Sequence, residues 1–150
     1  MAGSALVEVK RSIADYLSCL HGWTVTYGWP GDRHVTTRSI WCGATTAQVE
    51  TTSIRATRRR RTESPTINVA IWAEEIDAAS TPSERQETAD AAVFDALTVL
   101  DEWIADDNQL GRADLVDIAW LDRWTHDVGP TERGVAALIT AEIRYQARLL

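Results

Sequence analysis

The stretch VAALITAEIRYQARL, residues 135–149, reads as a β-strand from end to end. Val135, Ala137, Ile139, Ala141, Ile143, Tyr145, Ala147 and Leu149 are apolar at every second position, and from Thr140 the intervening Glu142, Arg144, Gln146 and Arg148 are polar. A period of two places one set of side chains on a core and the other on the opposite face. At about 3.3 Å per residue such a strand approaches 50 Å. A 150-residue core does not need that length, so part of the strand is expected to reach a neighbouring subunit. Working back along the chain, residues 66–74 repeat the pattern. Ile67, Val69, Ile71 and Ala73 face one way and Thr66, Asn68, Ala70, Trp72 and Glu74 the other, with Pro65 expected to open the strand.

The period changes from two to 3.6 in two places. Thr81-Pro82-Ser83-Glu84 is a capping box with proline at the first helical position. It starts a helix with the stripe Ala89, Val93, Leu97, Leu100 and Ile104, expected to end near Asp106. Residues 4–20 carry Leu6, Val9, Ile13, Tyr16, Leu17 and Leu20 at three- and four-residue spacing, with Ser4 as the expected N-cap and His21-Gly22 as the stop. Shorter strands are expected at 23–27 and 38–43, the latter with Ile40 and Cys42 on one side. An extended loop from Ala44 becomes a strand near Ser53, and a further strand spans 116–124, with Ile118 and Trp120 on one face. Residues 28–32 and 129–134 are rich in Gly and Pro and read as turns. The order is helix, two to four strands, helix, two strands. The fold class is α+β: a single domain over residues 1–150, a mostly antiparallel β-sheet with two main helices packed on it.

Composition bounds the function. With 45% hydrophobic and 25% charged residues the chain is an ordinary globular one, not disordered, collagen-like or a coiled-coil rod. No apolar run approaches the roughly 20 residues that span a bilayer, and no signal peptide is read at the start, so the chain is expected to be made in the cytoplasm. Cys19 and Cys42 have neither CxxC nor Cys/His spacing and are expected to be small buried side chains. The net charge of −7 sits in residues 82–107, which hold eight acids and one base; the remainder is neutral, with 14 acids against 14 bases. Opposed to it stands the run Arg58-Arg59-Arg60-Arg61, with Arg55 just upstream, joining two strands as the tip of a hairpin. One acidic element and one basic tip suit head-to-tail association of copies. Seven tryptophans exceed what a core this size requires, and the surplus points to aromatic surface buried against a partner.

No motif for chemistry is present. His21, His34 and His126 lack HExxH spacing, and no GxSxG, Walker A or GxGxxG sequence occurs. Asp127 beside His126 is the nearest approach to an acid–base pair; Asp122, four residues before His126, is judged to belong to the end of a strand. Glu74-Glu75 and Asp106-Asp107 are expected at solvated element ends. No catalytic, cofactor-binding or metal-ligating residue is assigned, and the expectation is a protein that is not an enzyme. The arginine run is able to neutralise phosphates. It lacks interleaved aromatics and sits in an acidic chain, which favours an acidic protein surface as its target.

In this order of elements the chain resembles the tail terminator proteins of long-tailed bacteriophages. The resemblance covers nearly the whole chain. Its most specific parts are the hairpin Ala56-Thr57-Arg58-Arg59-Arg60-Arg61 and the helix ending Ile104-Ala105-Asp106-Asp107-Asn108-Gln109-Leu110-Gly111, where Asn108 stands in place of the proline often found after the paired aspartates. The resemblance implies a virion structural protein that assembles as a hexameric ring at the head-proximal end of the tail. Such a ring caps the tail tube, ends its polymerisation and joins it to the head–tail connector protein, with no cofactor and no membrane. Arg55, Arg58, Arg59, Arg60 and Arg61 are then candidate interface residues. The alternatives are a head–tail connector or neck subunit and, in another class, a small nucleic-acid-binding protein using the Arg58–Arg61 tip.

Overall fold

The computed structural model describes residues 5–31, 35–51 and 61–149. Its elements are α1 (Leu6–Leu17), β1 (Thr24–Thr26), β2 (Arg38–Thr51), β3 (Arg61–Glu75), α2 (Pro82–Asp106), β4 (Val116–Pro130) and β5 (Val135–Leu149). The alternation in β3 and β5 decides the layering. The strands are antiparallel neighbours in which Ile67, Val69, Ile71 and Ala73 stand opposite Ile143, Ala141, Ile139 and Ala137, and all eight are fully buried. Over them lies the α2 stripe, Ala89, Val93, Leu97, Leu100 and Ile104, buried throughout. Val9, Ile13 and Leu17 of α1 are buried in the same core, and Tyr16 stacks on Trp103 at 4.2 Å, joining the two helices. The strand order is β1-β2-β3-β5-β4. β1 runs parallel to β2 and every other pairing is antiparallel. The molecule is therefore the expected α+β domain, two helices on one sheet.

Several local expectations are corrected. β5 does not reach out of the subunit: it is a central strand, paired along its length between β3 and β4, each also 15 residues. Residues 44–51 are not a loop but the continuation of β2 past a bulge between Cys42 and Thr45; Ser53 lies outside the described residues. β3 begins at Arg61, so Pro65 is inside it. Pro65 has no N–H to donate, and the β3–β5 pairing skips Ser64 and Pro65 in an otherwise constant register. α1 starts after Ala5, which offers no side-chain cap, and Ser4 lies outside the described residues. β4 runs on through Pro130, so the turn before β5 is confined to residues 131–134. Gly134 is required there, because a Cβ at that position would collide with the backbone carbonyl of Glu75.

Candidate assembly interface

Three surfaces follow from this layering. The first is the hairpin end. β2 and β3 pair in register to Thr51 opposite Arg61, so residues 52–60 link the two strands there. Arg55, Arg58, Arg59 and Arg60 lie outside the described residues, and Arg61 enters as the first backbone position of β3, paired with Thr51 and Leu149. The second is the outer face of α2. Thr81 caps the helix: its hydroxyl oxygen accepts a hydrogen bond from the Glu84 amide at 3.2 Å, and the hydroxyl donates to the Glu84 carboxylate at 3.0 Å, in place of the backbone bond of a full capping box. From that start the 3.6 period turns Glu84, Glu87, Asp95, Asp101, Glu102 and Asp106 to solvent, so the acidity read in the sequence becomes one exposed helix face.

The third is the sheet face opposite the helices. Strand alternation that buries odd positions of β3 and β5 sends Ala70, Trp72, Leu138 and Thr140 the other way, and Trp41, paired with Ala70, joins them. Trp29, in the loop after β1, packs edge-on against Trp41 with ring centres 5.0 Å apart and is itself 56% exposed. Trp29, Val35, Trp72, Glu74 and Arg133 line a cavity of about 310 Å³ on this face. Glu74 and Glu75 are not the solvated pair expected from sequence. Glu74 is buried and ion-paired with Arg133 at 2.6 Å, and Glu75 pairs with Arg38. Farther along the face the Arg144 guanidinium lies 5.8 Å over the Trp120 ring, and Arg123 pairs with Glu142 at 2.5 Å. Among the described residues no helix lies on this side. The tryptophan surplus foreshadowed such a surface, but which tryptophans form it depends on strand parity and on the loop that returns Trp29.

His126 takes neither Asp122 nor Asp127. Its Nε2 lies 2.8 Å from Asp90 Oδ1 on α2, with the ring 5.3 Å from Phe94, which also meets Trp124 edge-on at 5.2 Å. The partner comes from 36 residues away, which no local spacing reveals, and the pair ties α2 to β4. Both cysteines are free. Cys42 is buried, and burial pushes its thiol up to about 11, with Lys10 pulling the other way. Cys19, expected inside, is exposed at the end of α1. Among the described residues no three His, Cys, Asp or Glu side chains gather to hold a metal, and no helix is long and apolar enough to cross a membrane. The chain matches no family model and no curated protein.

Proposed function

We propose that this chain is a structural assembly subunit of a bacteriophage tail, a tail terminator that forms a hexameric ring on the finished tail tube. The ring stops polymerisation and presents a surface to the head–tail connector protein. The observation that carries the reading is the one-sided architecture: both helices pack on one face of the sheet, and the other carries Trp29, Trp41 and Trp72 with no helix over them among the described residues. An exposed Trp29 beside the part-buried Trp41 and Trp72 on an open sheet face is the kind of aromatic anchor that protein interfaces bury. The order of elements, the arginine run and the Asp106-Asp107 helix ending support the same family reading.

Negative-stain microscopy of the purified protein, with its mass measured in solution, tests this. The expected result is rings of uniform diameter at about 100 kDa, six times the 16.7 kDa of one chain, formed alone or on added tail-tube subunits. Particles that remain single chains in both conditions, together with salt-dependent DNA binding that is lost when Arg58–Arg61 are replaced, would favour the nucleic-acid reading instead.

A further inference from the structure

β4 is an edge of the sheet. Near its start the Ala119 amide donates to the Asn108 carbonyl at 2.6 Å. Among the described residues nothing pairs with the outer edge from Arg123 to Pro130. That span is the regular part of the strand. It follows a bulge between Leu121 and Arg123 and holds unbroken register with β5, from Arg123 opposite Glu142 to Pro130 opposite Val135. A regular edge with free N–H and C=O groups is a template for another strand. Trp124 and Val128 on it are 46% and 40% exposed.

The side chains on this edge are complementary to themselves. Arg123, Thr125 and Asp127 point to the helix-free face, while Trp124 and His126 point to the helix face, where Phe94 meets both rings. Arg123 is 70% exposed and gives only part of its five-donor guanidinium to Glu142. Asp127 is exposed and makes no ion pair among the described residues.

We propose that the protein dimerises in solution by antiparallel pairing of β4 with β4 of a second copy, about a two-fold axis through Thr125. Each sheet face stays with its own kind only in registers that oppose residues of equal parity. The register centred on Thr125 sets Arg123 of each copy opposite Asp127 of the other, twice over by symmetry, and Trp124 opposite His126. Centring one such step away, on Trp124 or His126, sets Arg123 against Thr125 or Gly129 and forfeits both ion pairs. Closing the edge also covers Trp124 and Val128. The dimer concerns the free protein and does not rest on the ring.

Sedimentation over a concentration series tests the pairing. The wild type is expected to shift from one chain mass toward two. Asp127→Arg and Arg123→Asp each set like charges opposite one another and are expected to weaken dimerisation roughly tenfold or more. The double exchange Arg123→Asp with Asp127→Arg restores opposite pairs and is expected to recover it. Circular dichroism melts establish that each variant folds. If an exchange variant does not fold, cross-linking decides: in a Cys19→Ser background, Thr125→Cys is expected to form a disulfide-linked dimer under mild oxidation, because its two copies face each other across the axis. Thr98→Cys, exposed on α2, is not. A single-chain mass at every concentration, an oligomer that neither single exchange alters, a double exchange that does not recover association, or no Thr125→Cys cross-link would each overturn the pairing. Normal rings from a protein that shows no two-chain species at any concentration would leave the proposed function standing and remove this dimer.

Discussion

At the scale of single residues the core is the part most directly open to measurement. Leu97 is 6% exposed on α2 above the β3–β5 pair, and Leu97→Ala is expected to cost roughly 2–5 kcal/mol in denaturant unfolding, as a buried leucine truncation does. A loss under about 0.5 kcal/mol would mean that this helix face is not packed as described. Cys42 links packing to pH. Its folded thiol ionises near 11 against an ordinary value of 9.0, because burial disfavours the thiolate. A folded value raised above the unfolded one gives stability that is fully present below about pH 9. It is lost as pH rises toward 11, because the unfolded chain gives up a proton that the folded one keeps. The loss amounts to at most about 2–3 kcal/mol by pH 11. Cys42→Ala is expected to flatten that part of the stability curve, measured by urea unfolding at pH 8, 9.5 and 11. An unchanged alkaline slope in the variant would remove Cys42 as its source.

At the scale of elements, the sequence showed what a strict period can show. The α2 stripe and the odd positions of β3 and β5 are buried as their spacing requires, and Thr81 caps α2 through its side chain as the sequence reads, though without the return bond of a full capping box. Thr81→Ala is expected to cost about 1 kcal/mol, read from the melting curve; no measurable change would mean that the helix start is held by other contacts. Boundaries were less legible where local chemistry and tertiary pairing disagree. Pro65 reads as a strand start because it lacks an N–H, yet β2 and β5 flank the strand on both sides and carry it back to Arg61. Residues 44–51 are rich in threonine and alternate only over Ala47 to Glu50, too short a stretch to fix a strand, and pairing with β3 makes them one. The Asp90–His126 pair and the return of Trp29 onto Trp41 join residues distant in sequence or out of strand phase. No single-segment pattern contains them. The candidate arginines are legible as a run, but Arg55, Arg58, Arg59 and Arg60 fall outside the described residues.

At the scale of the whole molecule, both helices and the buried core lie on one side of the sheet. The helix-covered face and the two helices hold the core; on the proposed reading, the open tryptophan face, the acidic side of α2 and the arginine run are where other chains bind. Changing Arg58, Arg59, Arg60 and Arg61 together to Ser is expected to move the melting temperature by no more than about 2 °C, since four adjacent cations repel one another and would be costly to bury unpaired, which argues against a role in the core. The same change is expected to weaken ring formation, and the wild-type assembly should loosen as added salt screens the attraction between basic and acidic surfaces. A variant that melts normally and assembles normally would reduce the run to a solvated loop. The central claim is that this protein ends the growth of a tail tube, and the length distribution of tubes polymerised from purified tail-tube subunits tests it most directly. With the protein added in substoichiometric amount to growing tubes, the expected result is arrested elongation and a ring visible at one tube end. Tubes that grow to the same lengths with and without it, their ends bare, would contradict the account.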